Sequence, residues 1–160
     1  MDVPVNASSP APPPSDREIV ITRTFDAPRT LVFEAWTRCE HVSQWWDPGG
    51  APLASCEIDL RPNGAFRWVN QTANGQEHAF AGTYREIRPP ERIVFSTRTG
   101  RGGEETIGTL DFREHDGKTT LTLTMTCASI AGKDALLQMR VDAGTMKTLA
   151  NLAAYLRTIE

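Results

Sequence analysis

Three histidines, three cysteines and a set of large aromatics hold most of the chemistry that this 160-residue chain could offer. Side-chain catalysis needs a nucleophile or base, a partner that orients it and a group that stabilises charge, and no such set is recognisable here. His41 follows Glu40 in a short helical stretch, where a capping or surface role is expected ahead of general base. His78 shares strand parity with Phe80, so it is the one titratable ring that could turn into an interior space; a sheet-edge or surface place is the competing expectation. His115 lies beside Asp116-Gly117 and is expected to be solvated. Glu57, Asp59 and Arg61 share one strand face, which reads as a surface charge ladder, with a polar cavity end as the other reading. No catalytic residue is assigned.

Composition narrows the partners. Cys39, Cys56 and Cys127 are odd in number and widely spaced, so reduced, mostly buried thiols in a reducing compartment are expected. Without a Cys-x-x-Cys or Cys/His ligand pair, neither zinc nor any other metal or cofactor is expected. The formal charge of −3, with both signs mixed along the chain, gives no basic footprint for nucleic acid. No stretch reaches the roughly 20 apolar residues of a membrane span, and the start lacks the basic and apolar regions of a secretory signal. A soluble cytoplasmic protein, monomer or homodimer, is the expectation.

The elements that must position any site can be read next. The length suits one domain. Residues 1–16 carry Pro4, Pro10, Pro12, Pro13 and Pro14 among alanine and serine, so a disordered arm is expected there, followed by a folded domain over 17–160. Glu18 to Phe25 alternates as a strand with one buried face. Asp26 is placed to cap a helix over Pro28 to Thr37, whose Leu31, Val32, Ala35 and Trp36 follow helical spacing; Trp36 is assigned to the core. A short helix over Glu40 to Trp46 stops at Asp47-Pro48-Gly49-Gly50. Strands are predicted over Ser55 to Leu60, Ala65 to Gln71, Glu77 to Ile87, Arg92 to Thr99, Thr106 to Glu114 and Lys118 to Cys127. Asp116-Gly117 makes the last turn a tight hairpin, because positive φ is cheap for that pair. One long helix is predicted from Asp134 to Thr158, with Leu149, Leu152, Ala153, Leu156 and Ile159 on one stripe.

Several motifs resemble one family. Phe25-Asp26-Ala27-Pro28 leads into Leu31-Val32-Phe33-Glu34-Ala35-Trp36-Thr37, with Glu40-His41 and Trp45-Trp46 behind it. Asp59-Leu60-Arg61-Pro62-Asn63-Gly64 is similar to an Asp-Leu-Arg-Pro-Gly-Gly turn, Asn63 being a residue that tolerates positive φ. Gly82-Thr83-Tyr84-Arg85-Glu86-Ile87, Pro89-Pro90-Glu91-Arg92 and the segment from Thr148 to Leu156 complete the likeness. Together they resemble the activator of Hsp90 ATPase homologue family of the START-like (SRPBCC) superfamily, over Glu18 to Leu156. The chain departs at Gly144-Thr145-Met146, where many members carry Gly-Trp.

The resemblance implies an α+β helix-grip fold, shared with the birch pollen allergen, in which about seven antiparallel strands curve around a long C-terminal helix. It also implies a ligand site in the gap between sheet and helix. The side chains placed there are Trp45, Phe66, Trp68, Phe80, Tyr84, Phe95 and Met125, with Met139 and Met146 from the long helix and His78 as the titratable ring. Trp46 is set at the mouth, beside Pro48-Gly49-Gly50. A gate is one reading of the Trp45-Trp46 pair; packing of Trp45 with partial exposure of Trp46 is the other. That these side chains simply fill a core stands beside the cavity reading. Gly82, in mid-strand, is expected to let the sheet bend, or else to let a ring lie over the backbone. The function implied is binding of a hydrophobic small molecule, lipid-like or aromatic, with a stress-related role. The alternatives are a chaperone-linked interaction protein and a polyketide cyclase-like or hydrolase-like enzyme using the same cavity.

Overall fold

The computed structural model describes residues 14–47, 52–98 and 104–159. Most of the expected N-terminal arm lies outside those residues, as does the Pro48-Gly49-Gly50 segment. Pro14–Arg17 is a 3-10 turn. The Arg17 guanidinium ties it to the sheet by donating to the Cys127 carbonyl at 2.7 Å.

The alternating segments form β1 (Glu18–Phe25), β2 (Leu53–Ile58), β3 (Ala65–Gln71), β4 (Glu77–Arg88), β5 (Arg92–Arg98), β6 (Glu105–His115) and β7 (Lys118–Cys127). They make one antiparallel sheet in the order β1-β7-β6-β5-β4-β3-β2. β2 to β7 therefore form a meander, and β1 closes beside the last strand. Its register is pinned by the β6–β7 hairpin, where Asp116 (φ 54°) and Gly117 (φ 78°) turn the chain between His115 and Lys118. Asn63 has φ 70°, as its place in the second turn requires.

The helices are α1 (Arg29–Thr37), α2 (Cys39–Trp45), α3 (Ile130–Gln138) and α4 (Val141–Ile159). α1 buries Val32, Phe33, Ala35 and Trp36, and Phe33 meets Phe112 of β6 edge-on with ring centres 5.4 Å apart. α4 buries Leu149, Leu152 and Leu156 along its predicted stripe. β7 buries Leu121, Leu123 and Cys127 on the same side. This is the helix-grip arrangement.

Three expectations need correction. Asp26 does not cap α1. The N-cap is Pro28, with no side-chain cap bond, and its carbonyl receives the N–H groups of Leu31 and Val32. A distant carboxylate takes the cap's place: the Arg29 N–H donates to Glu114 Oε1 of β6 at 2.8 Å. Thr119 steadies the same turn by donating its hydroxyl to the Ala27 carbonyl at 2.7 Å.

The C-terminal helix is two helices rather than one. Ser129 starts α3 early by accepting the Gly132 N–H at 2.9 Å, and the chain breaks at Arg140, whose φ is 59°. A left-handed residue just past a helix end is usually glycine. Here no glycine or proline marks the elbow, so the sequence pattern runs straight through it.

The cysteines are not all free thiols. Cys39 of α2 and Cys56 of β2 form a disulfide, with Cα atoms 5.8 Å apart, and buried Cys127 is the free one. Their separation of 17 residues follows no framework spacing; they meet because β2 returns beside α2. The cysteine argument for a reducing compartment falls with this pairing. Among the described residues no helix is long and apolar enough to cross a membrane.

Candidate functional site

Between the sheet and the α3–α4 elbow lies a cavity of about 190 Å³. Its aromatic walls are Trp36, Trp46, Phe80 and Phe95; the sheet adds Thr97, Thr106, Gly108, Leu123 and Met125, and the elbow adds Leu136, Val141 and Thr145. Strand parity explains the sheet contribution. Phe95 and Thr97 point one way from β5, and Thr106, Gly108, Leu110 and Phe112 are the buried set of β6. Gly108 makes room: a Cβ there would stand 2.2 Å from the Phe95 ring.

Behind the cavity is a recess of about 20 Å³ bordered by Trp36, Phe66, Trp68, Phe80, Tyr84, Ile93, Phe95 and Leu110. Trp36, Phe80 and Phe95 therefore wall both spaces. The aromatics form one connected set. Trp46 stacks on Phe80 at 5.3 Å and meets Trp68 edge-on at 4.9 Å, while Phe66 touches Trp68, Phe80, Tyr84 and Phe95. Gly82 lets Phe66 lie close, since a Cβ there would be 3.0 Å from its ring and 2.1 Å from the Ser96 carbonyl oxygen. Close approach thus accounts for this glycine; the irregularity of β4 lies further on, between Tyr84 and Glu86.

Trp46 is held by its backbone. Its N–H donates to the Val42 carbonyl at 2.9 Å, and its own carbonyl accepts from Nδ2 of buried Asn70 at 3.1 Å. Asp47, next along, accepts from Asn151 of α4. His41 adds a second tie, its Nδ1 lying 2.6 Å from the Tyr155 hydroxyl of α4. This histidine thus links α2 to α4 and neither caps a helix nor faces the cavity.

Of the residues proposed from sequence, Trp46, Phe80, Phe95 and Met125 line the cavity, while Phe66, Trp68 and Tyr84 stand around the recess. The others lie elsewhere. Trp45 is buried in the core with its indole N–H donating to the Ala35 carbonyl at 3.0 Å. His78 is exposed on β4. Met139 and Met146 are 59% and 58% exposed, because the elbow and the phase of α4 turn them to solvent. Glu57, Asp59 and Arg61 are exposed, the last two ion-paired at 2.9 Å, and His115 pairs with Asp116 in the open hairpin. Sequence reasoning missed Trp36 as a wall and passed over Thr97, Thr106, Gly108, Leu123 and the elbow residues.

None of the described lining residues is an acid or base near neutrality. The buried ionisable groups nearby are pushed toward their uncharged forms. Burial raises the Tyr84 phenol far above its ordinary 10.0. Burial likewise raises the Cys127 thiol, helped by Glu104 and opposed by Lys133, Thr106 and Arg17. For Tyr84 the unfolded chain releases its proton above about pH 10 while the folded protein keeps it, so stability is intact below that pH and falls as pH climbs beyond it. Tyr84→Phe is expected to flatten the alkaline part of the stability profile in urea titrations from pH 8 to 11. An unchanged slope would show that Tyr84 ionises freely in the fold.

The sequence profile described as "Activator of Hsp90 ATPase homolog 1-like protein" matches residues 26–157. The chain belongs to this family. The activator-homologue fold is also that of solved bacterial structures. A Rhodobacter sphaeroides protein superposes with a TM-score of 0.84 at 22% identity, covering 95% of this chain and 97% of its own. A Chromobacterium violaceum protein gives 0.75 at 28% identity, over 86% and 95%. A Nitrosomonas europaea protein gives 0.80 at 19% identity, over 90% and 96%. No curated protein matches the chain. Thr145, a small residue, and Val141 form the α4 side of the cavity.

Proposed function

We propose that this protein binds a small hydrophobic molecule in the space between its sheet and the α3–α4 elbow. The observation that carries the reading is the apolar cavity of about 190 Å³. Protein interiors pack as densely as organic crystals, so an apolar space of this size between sheet and helices is suited to an apolar occupant, whereas water finds few partners in such walls. The described lining offers indoles and threonine hydroxyls rather than acid–base groups, which favours binding over a cyclase or hydrolase reaction.

Filling the cavity tests the reading. Thr145→Trp is expected to weaken naphthalene binding at least tenfold in ligand-observed NMR, at an overpacking cost of about 1–3 kcal/mol that leaves the fold intact. Met146→Trp, on the exposed side of α4, should bind as the wild type does. Equal affinity in the wild type and a folded Thr145→Trp protein would place the binding elsewhere.

The family description favours a second reading, a chaperone contact, with a stress-related role. Purified Hsp90 whose ATPase rate is unmoved by a molar excess of this protein would remove an activator role.

A further inference from the structure

We infer that the occupant is a compact, neutral ring compound bearing one hydrogen-bond acceptor, an aryl ketone being the type, whose acceptor atom enters the recess behind the cavity. The inference rests on the binding reading above and names the ligand class.

Donors without acceptors supply the main argument. The fold gives the Trp45 N–H a partner at 3.0 Å, yet the buried N–H groups of Trp36, Trp46 and Trp68 have none among the described residues. Buried polar groups are nearly always paired, so such a cluster asks for an explanation. Trp36 and Trp68 both border the recess, whose 20 Å³ is room for about one oxygen-sized group. The rings around them are other aromatics, and a ring face is only a weak acceptor. Hydroxyls stand in the walls, but the Thr97 hydroxyl is turned to donate to the Ala81 carbonyl at 2.5 Å, and none of the three indole N–H groups reaches a hydroxyl oxygen, that of Tyr84 beside the recess included. The Thr145 hydroxyl can itself donate to an occupant.

Charge and size narrow the class further. No cation lies among the described lining residues, so a carboxylate or phosphate would be stripped of water with nothing to replace it. A dry apolar cavity of about 150 Å³ is known to take benzene, so about 190 Å³ suits one ring with a short substituent, up to two fused rings.

The test compares acetophenone with α-methylstyrene, its near-isostere in which a methylene replaces the carbonyl oxygen, with naphthalene to report the cavity itself. Trp36→Phe and Trp68→Phe keep a ring and remove the donor. At least one of them is expected to lower the ratio of acetophenone to α-methylstyrene affinity about fivefold, equivalent to about 1 kcal/mol for one net hydrogen bond; taking the ratio cancels the change in room that a smaller ring makes for both ligands. In the wild-type protein, should both variants unfold, the indole N–H resonance of Trp36 or Trp68 should move downfield with acetophenone and not with α-methylstyrene. An unchanged ratio in both folded variants, a fall seen only in Trp46→Phe, identical indole shifts with the two ligands, or tighter binding of benzoate than of acetophenone overturns the inference while leaving the cavity reading in place. Binding of naphthalene alone overturns the acceptor-bearing ligand class while leaving the size in place. Failure of every probe, naphthalene included, removes the cavity reading itself.

Discussion

Trp36→Ala is expected to destabilise the protein by about 3–5 kcal/mol, the usual cost of deleting a large buried aromatic. The position justifies the upper half of that range. Trp36 is 6% exposed, meets Trp45 edge-on with ring centres 4.8 Å apart, and lies 6.3 Å from Trp68. It also walls both the cavity and the recess, so its removal enlarges two existing spaces instead of leaving one isolated hole. The surroundings cannot easily collapse into the gap, because α1 is pinned to the sheet at its start by Glu114 of β6. Urea denaturation gives the value directly. Trp36→Phe keeps most of the ring contacts and should lose far less. A loss below about 1 kcal/mol for the alanine variant would show that the α1 face does not lock the helix to the sheet.

Parity and turn chemistry made most of the sheet legible from sequence. Phe66 and Trp68 share a face because side chains alternate along a strand, and the Asp116-Gly117 hairpin sets the register of the last two strands. The same rule reaches further than the aromatic residues alone. Thr97 follows Phe95 by two, and β6 alternates through Thr106 and Gly108, so the cavity floor could have been read once Phe95 was placed inside. The helix wall was legible too. The stripe of Leu149, Leu152 and Leu156, extended back by four residues, arrives at Thr145, whereas Met146 sits one position off it. Residue type misled there, since methionine suggests a cavity and threonine does not. The elbow was hidden for a different reason. Arg140 adopts φ 59° without a glycine, and only tertiary packing of Leu136 and Val141 toward the sheet marks where one helix becomes two. The cysteine pairing was likewise invisible, because it is a contact between a helix and an edge strand that no local spacing encodes.

That pairing carries the second large expectation: opening the Cys39–Cys56 bond should cost about 3 kcal/mol, the loop-closure value for a link spanning 17 residues. The closed loop contains Trp45 and Trp46, so the link restricts in the unfolded chain the segment that supplies one wall of the cavity. Among the described residues β2 is an edge strand whose sheet partner is β3, and the bond to α2 steadies its other flank. The oxidised protein should therefore unfold at clearly higher urea concentration than the same protein in excess reductant, and the Cys39→Ser, Cys56→Ser double variant should match the reduced form. Cys127→Ser serves as the contrast, since Cys127 is buried on β7 and outside the bond. Hydrogen exchange should locate the loss in α2 and β2 first, ahead of the β5–β6–β7 centre of the sheet. Identical urea midpoints with and without reductant, in protein shown by mass spectrometry to be oxidised at the outset, would mean that α2 and β2 are held by packing alone.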